Sequence, residues 1–211
     1  IKLMKKIKNI FKNKVTRNAS WMIIGRIYQM SLSFVVSMLT ARYLGPSNYG
    51  LINYASSFTS FFSTFCVLGI NSVIVKNFID HPNEEGKTTG SAIGVRMISS
   101  ICSVVLIMVA TLFLDREERT THLVVLLLGL GAIPQVFDTL NYWFQAKLES
   151  KYAAIASAIG YTVMMGYKIS LLVFQKNVVW FAAASSIEYL VVAVCLYYNY
   201  RRHGGPSLSL S

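Results

Sequence analysis

Five ionisable side chains lie within long apolar stretches of the sequence, and their chemistry most needs explaining. They are Arg26, Arg96, Asp138, Lys168 and Glu188. A charge at the middle of a bilayer costs at least about 2.5 kcal/mol, so each should face the protein interior, an aqueous cavity or a route to the surface. The guanidinium group of arginine is a planar fork of donors that suits phosphate and pyrophosphate oxygens. We therefore expect these five residues to form a substrate-binding site, in which an arginine left unpaired by the acids would bind an anionic substrate.

The depth of each charge within its stretch predicts which of them can meet. At about 1.5 Å of rise per residue, Arg26, Arg96 and Asp138 each lie about 9–12 Å from the same face. An ion pair of Asp138 with either arginine, serving only to fix helix positions, is the structural alternative. Lys168 lies about 9 Å from the opposite face by the same rise. It would either snorkel outward, which the spacing favours, or reach Glu188 near the middle of its span.

Six apolar stretches are long enough to carry these charges across a membrane, since a bilayer core of about 30 Å requires about 20 apolar residues. Only Gln175, Lys176 and Asn177 separate the last two stretches, which must therefore be antiparallel neighbours. Small residues four apart, such as Ala156 and Gly160, favour close helix packing. The pattern predicts an all-α integral membrane protein, a bundle of six transmembrane helices. The predicted spans are 18–40, 49–75, 89–114, 121–144, 152–174 and 177–199.

The composition argues against a soluble or a disordered protein. Of the 211 residues, 54% are hydrophobic and only 14% are charged, which is too little polar surface for a water-facing globule. Lys and Arg number 20 against 9 Asp and Glu, for a net charge of +11. Seven of these cations lie within the first seventeen residues rather than across a folded face, as nucleic-acid binding would require. We therefore expect no nucleic-acid partner.

The distribution of Lys and Arg outside the spans predicts the orientation of the chain. Thirteen would lie on the side of the N-terminus and four on the other side, so the positive-inside rule places both termini in the cytoplasm. Residues 1–17 mix apolar and basic positions as an amphipathic helix lying on membrane lipids does. The predicted organisation is a basic amphipathic segment 1–17, a six-helix bundle 18–202 and a short tail 203–211.

No combination of residues indicates catalysis, a metal site or a cofactor. The cysteines and histidines stand singly without ligand spacing, and no glycine-rich loop precedes a Lys and a Ser or Thr that would cradle ATP phosphates. We expect the chain not to be an enzyme. Pro134 interrupts the fourth span and predicts a kink that frees a backbone carbonyl. The connector acids are interpreted as solvated charges; they are Glu84, Glu85, Glu117 and Glu118.

Two blocks of sequence resemble Wzx-type polysaccharide repeat-unit flippases of the multidrug/oligosaccharidyl-lipid/polysaccharide exporter superfamily. The first block comprises Asn18-Ala-Ser-Trp21, Gly25-Arg26 and Ala41-Arg-Tyr-Leu-Gly-Pro-Ser-Asn-Tyr-Gly50. The second comprises Ile133-Pro-Gln-Val-Phe-Asp138, Tyr142-Trp-Phe-Gln-Ala-Lys147 and Lys151-Tyr152. The resemblance covers about residues 15 to 202.

This resemblance implies a bacterial inner-membrane protein that moves an undecaprenyl-diphosphate-linked oligosaccharide, an O-antigen or capsule repeat unit, to the outer leaflet. The family is thought to work by alternating access between two six-helix bundles, often coupled to an ion, either a proton or sodium. Its chains have about twice as many spans, so we expect an N-terminal half, a fragment that pairs with a second half or a second copy. The implied partners are the lipid-linked substrate, membrane lipids and the polysaccharide polymerase machinery.

Two other interpretations stay open from the sequence. One is a sister branch of the superfamily, either a peptidoglycan-precursor flippase or a multidrug extruder. A cation extruder would want acids to dominate its cavity, whereas the spans hold three bases and two acids. The other is a membrane scaffold that transports nothing, in which the buried charges would be ion pairs only.

Overall fold

A computed structural model describes residues 14–67, 74, 76–78, 80, 85–114 and 119–207. Most of the predicted amphipathic segment 1–17, the end of the second predicted span and parts of two connectors lie outside these residues. The described part is helical, with no strand. Its elements are α1 Lys14–Val67, α2 Glu85–Leu114, α3 Arg119–Leu130, α4 Ala132–Gln135, a 3₁₀ turn Val136–Asp138, α5 Thr139–Ala146, α6 Ser150–Val173 and α7 Val178–Arg202.

Five helical stretches of the described residues are long and apolar enough to cross a membrane. They are α1, α2, the stretch Arg119–Ala146 that runs from α3 to α5, α6 and α7. The prediction of an all-α membrane protein is confirmed. The predicted count of six spans is not confirmed, because the first predicted span and the described part of the second both lie along α1.

A kink at Gly45 divides α1 into a first arm, 14–44, and a second arm, 46–67. Gly45 has φ 71° and ψ 174°, a left-handed conformation that costs glycine little, and Pro46 begins the second arm without needing a backbone donor. The Asn48 side chain donates to the Leu44 carbonyl at 3.3 Å. A straight α1 would measure about 80 Å, whereas its arms measure about 46 and 33 Å. The residues between the first two predicted spans, 41–48, therefore contain a kink within one helix.

The turn between α6 and α7 is as short as the sequence predicts. Gln175 adopts a positive φ of 49°, and its N–H donates to the Leu172 carbonyl at 3.4 Å. The Lys176 N–H donates to the Leu171 carbonyl at 3.1 Å, which completes a Schellman motif at the end of α6. Asn177 is extended and α7 begins at the next residue. The predicted antiparallel packing of α6 and α7 is confirmed.

Two apolar cores lie at opposite ends of the bundle. The first is the basic-end core, beside the exposed Lys147, Lys151, Arg201 and Arg202. Its buried residues are Ile74, Phe78, Ala92, Leu140, Trp143, Phe144, Ala153, Ala156, Leu196 and Tyr200. The second is the far-end core, of Leu44, Ala55, Ile107, Val124, Val125, Leu171, Val178, Phe181 and Ala182. Along α2, the stretch from α3 to α5, α6 and α7, polar residues lie between the segments that enter the two cores, so the bundle has a polar level between two apolar ones.

Close approach of α6 and α7 requires glycine at position 160. A Cβ built there would overlap Val192 Cγ2 and would lie 3.3 Å from the Glu188 carbonyl oxygen. A Cβ on Gly166 of the same helix would meet nothing within 4 Å.

We expect Gly160→Ala to lower the free energy of unfolding by about 1–3 kcal/mol, because the added methyl overfills the α6–α7 contact. Gly166→Ala is the matched control and should leave the stability unchanged or raise it. Unfolding of both variants by sodium dodecyl sulfate, followed by circular dichroism, measures the difference. Equal stability of the two variants would contradict the described packing.

Candidate functional site

Two cavities lie at the polar level. The larger, about 620 Å³, is called the hydroxyl cavity because eight of its lining residues are Ser or Thr. Those residues are Ser56, Thr59, Ser60, Ser63, Thr64, Ser100, Ser103 and Ser185. The smaller, about 350 Å³, is called the Arg26 cavity after the arginine in its wall. Gln135, Asp138 and Tyr189 line both, so the two cavities share a wall.

The interruption between α3 and α4 fastens α7 to the shared wall. The Gly131 N–H donates to the Leu128 carbonyl at 3.2 Å, three residues back rather than four. This shift frees the Leu127 carbonyl, which accepts instead from the Ser186 hydroxyl of α7. A free carbonyl at this depth needs such a partner because lipid offers none.

A second shift, beyond Pro134, fastens α2 in the same way. The Val136 N–H donates to the Ile133 carbonyl, again three residues back. The freed Ala132 carbonyl accepts from the Ser100 hydroxyl of α2 at 2.6 Å. The predicted interruption near Pro134 is confirmed, and it takes the form of a turn at Gly131 followed by a 3₁₀ turn that ends at Asp138.

Arg96 is held against the shared wall from α2. It is only 7% exposed, and its Nη1 donates to the Thr139 hydroxyl at 3.2 Å. Thr139 in turn donates to the Val136 carbonyl at 2.7 Å. The guanidinium carbon lies 5.4 Å from the centre of the Tyr142 ring, within cation–π range. Arg96 therefore faces the hydroxyl cavity in a fixed position.

Asp138 is the charged residue among the three that line both cavities. It ends the 3₁₀ turn and lines both cavities. Its carboxylate attracts the Arg96 guanidinium electrostatically, and it accepts from the Asn141 side chain at 3.5 Å. Sequence spacing placed Arg96 and Asp138 at one level, and the structure brings them to one cavity.

The Arg26 cavity contains the remaining arginine and a second acid. Arg26 is exposed on α1 and lines the cavity with Glu188 of α7. Tyr161 lies within electrostatic reach of both of them. Lys168 lines neither cavity; it is half-buried, and its ammonium is close enough to Glu188 for the two charges to attract. Of the two predicted arrangements, this proximity agrees with the one in which Lys168 faces Glu188.

The charges in the cavity walls are balanced or acidic. The described lining of the hydroxyl cavity contains Arg96 and Asp138, and that of the Arg26 cavity contains Arg26, Asp138 and Glu188. Neither cavity wall therefore has an excess of positive charge. Within the described ranges, no three His, Cys, Asp or Glu side chains come close enough to hold a metal ion.

Glu85 is a structural residue rather than a solvated charge, so that interpretation of the sequence is wrong. Its carboxylate is 16% exposed, accepts from Trp143 Nε1 at 2.8 Å and pairs with Lys147 Nζ at 2.9 Å. The Lys147 ammonium also lies 4.3 Å from the centre of the Trp143 ring. Glu85 thereby closes the basic-end core, where Tyr200 packs edge-on against Trp143.

The two blocks that carry the family resemblance touch each other in the structure. Asn18 Oδ1 accepts from the Ser150 N–H at 2.6 Å, which satisfies a backbone donor in the first turn of α6. The Lys151 ammonium lies 5.5 Å from the centre of the Trp21 ring. The first block therefore positions α6 at the basic end.

The sequence interpretation missed the hydroxyl side chains of the second α1 arm. Ser56, Thr59 and Ser63 recur at spacings of three and four within an apolar run, which places them on one helix face. This spacing is the sequence signal for a polar helix face. An interpretation based only on the charged residues does not detect it.

Helices that can span a membrane, enclosing polar cavities between two apolar cores, define a polytopic membrane protein. Over residues 15–211 the sequence matches the family described as polysaccharide biosynthesis protein. The chain belongs to this family, which associates it with the biosynthesis or export of polysaccharides. Neither a curated protein nor a solved structure matches the chain.

We expect the double variant Ser100→Ala/Ser186→Ala to lose about 1–2 kcal/mol of stability, because the carbonyls of Ala132 and Leu127 lose their hydroxyl donors. Ser33→Ala, at an exposed position of α1, is the control and should leave the midpoint unchanged. The midpoints of unfolding in lipid bicelles measure the effect. A double variant as stable as the Ser33→Ala control would mean that the two hydroxyls do not support the interruption.

Proposed function

We propose that the chain translocates an undecaprenyl-diphosphate-linked oligosaccharide repeat unit from the cytoplasmic to the outer leaflet of a bacterial inner membrane. The observation that carries the proposal is a polar cavity of about 620 Å³ at the depth of the apolar helices, in a chain of the polysaccharide biosynthesis family. Cavities of about 300–1,000 Å³ are of the size that binds small ligands. A polar chamber at this depth lets a hydrophilic head group cross while its lipid tail stays in the bilayer.

The proposed orientation places the basic end in the cytoplasm. Thirteen of the Lys and Arg outside the predicted spans fall on that side, as the positive-inside rule requires of cytoplasmic segments. Substrate would then enter past the basic-end core and leave past the far-end core. Alternating access of this kind takes a second six-helix lobe, either a second copy of the chain or another half, and energy from a proton or sodium gradient.

In this proposal, Arg96 and Arg26 meet the phosphate oxygens of the substrate in turn. Arg96 faces the larger cavity and Arg26 the smaller, with Asp138 between them. Glu188 and Lys168, which attract each other electrostatically, lie beside them. The charges are spread over the two cavities rather than concentrated, which suits a ligand that must be released as well as bound.

Extrusion of a cationic compound is the second candidate, because one observation favours it specifically. The described lining of the Arg26 cavity has two acids, Asp138 and Glu188, against one base. An acidic cavity attracts cations. The two candidates differ in the charge of the ligand.

We expect Arg26→Ala and Arg96→Ala each to lower polysaccharide export by about tenfold, because each removes a charge-assisted hydrogen bond to the substrate. Export is measured as surface polysaccharide in cells that lack their own repeat-unit flippase and express the chain at matched membrane levels. Arg26→Lys tests whether charge alone suffices. Lys176→Ala, an exposed cation in the α6–α7 turn, is the matched control and should export normally.

Export at the control level by both arginine variants would remove the proposed phosphate contacts. Resistance of the cells to cationic dyes, lost on Glu188→Gln, would favour the second candidate instead.

A further inference from the structure

One face of the second α1 arm presents hydroxyl groups to the hydroxyl cavity. Ser56, Thr59 and Ser63 lie on this face. Across the cavity lie Ser100 and Ser103 of α2. Hydroxyl side chains in membrane helices often do no more than bond to their own backbone. The eight Ser and Thr residues around this cavity are more than backbone bonding alone would require.

The hydroxyls of the second α1 arm retain acceptor capacity after their backbone bonds are made. Thr59 donates to the Ala55 carbonyl, and Thr64 donates to the Ser60 carbonyl at 2.8 Å. A hydroxyl has one donor and two lone pairs, so each oxygen can still accept a hydrogen bond from a ligand. The wall therefore suits a ligand rich in hydroxyl donors.

Ser103 is a second and independent sign of a ligand. Its side chain lines the hydroxyl cavity, is only 1% exposed, and its Oγ has no hydrogen-bond partner among the described residues. An unsatisfied buried hydroxyl costs about 1–3 kcal/mol, and a bound hydroxyl group would satisfy it.

The charge and shape of the hydroxyl cavity distinguish it from its neighbour. Arg96 and Asp138 are its charged lining residues in the described chain, and they offset each other. The rings of Tyr142 and Tyr189 also line it and provide amphipathic surface beside the polar groups. The Arg26 cavity is about half as large and more acidic. A neutral, polar and bulky group therefore fits the hydroxyl cavity better.

We propose that the hydroxyl cavity binds the neutral sugar portion of the substrate, with Ser63 and Ser103 hydrogen-bonding its hydroxyl groups. This inference rests on the proposed function and adds to it a division of the site. The sugar occupies the hydroxyl cavity, while the diphosphate is met by Arg96 and Arg26, which line one cavity each.

The test uses the full chain in phosphatidylcholine nanodiscs and neutral methyl glycosides of glucose, galactose, rhamnose and N-acetylglucosamine, added one at a time. Saturation-transfer NMR measures binding of each glycoside. We expect at least one to bind, and Ser63→Ala and Ser103→Ala each to weaken its binding by about two- to tenfold, the range for one neutral hydrogen bond. Ser157→Ala, a serine that lines the Arg26 cavity, is the matched control and should bind normally.

Inorganic pyrophosphate, titrated by ³¹P NMR, separates failure of this inference from failure of the proposed function. Pyrophosphate binding that Arg96→Lys weakens, without binding of any glycoside, would overturn the sugar site and leave the proposed function standing. Absence of both bindings would overturn both. Glycoside binding that Ser157→Ala weakens as much as Ser103→Ala does would also overturn the assignment to the hydroxyl cavity. Thermal melting of each variant verifies that it is folded.

Discussion

A polar group at the depth of an apolar layer must find its partner inside the protein, because lipid supplies none. The rest of this structure depends on that constraint. The bundle separates its apolar side chains into two cores and keeps its polar groups at the level between them. Arg96, Asp138 and Glu188 lie at that level, beside two cavities that share a wall. The cavities therefore lie where apolar packing gives way to polar side chains.

The same constraint explains how the helices tolerate their interruptions. At Gly45 the chain kinks at the far-end core, where Asn48 satisfies a carbonyl. At Gly131 and beyond Pro134, hydroxyls from α2 and α7 satisfy the freed carbonyls. These bonds tie three helices together at the polar level and place Asp138 in both cavities. In a continuous α-helix, those carbonyls would accept backbone hydrogen bonds from the next turn. They would then need no partners from α2 and α7.

Much of this arrangement follows from the sequence, because hydropathy and spacing are local signals. The α6–α7 turn and the interruption near Pro134 are predicted by a few adjacent residues. The predicted spans break off between 40 and 49, where the structure has a kink at Gly45, since sequence alone does not distinguish a loop from a kink. Which side chains meet across helices is not a local property: Lys168 lies within electrostatic range of Glu188, and Glu85 is held between Trp143 and Lys147. Such contacts depend on the rotation of each helix about its own axis, which the amino-acid composition does not specify.

Membership of the polysaccharide biosynthesis family and a polar level between two apolar cores together support transport of a hydrophilic group past an apolar barrier. The central claim is that water reaches this level. The most direct test places single cysteines at Ser63, in the hydroxyl cavity, and at Ile98, which is 66% exposed on the outer face of α2, in a chain whose native cysteines are replaced. A membrane-impermeant maleimide should label Ser63→Cys from one side of the membrane and leave Ile98→Cys unlabelled. Labelling of Ile98→Cys, or no labelling of Ser63→Cys from either side, would contradict the account.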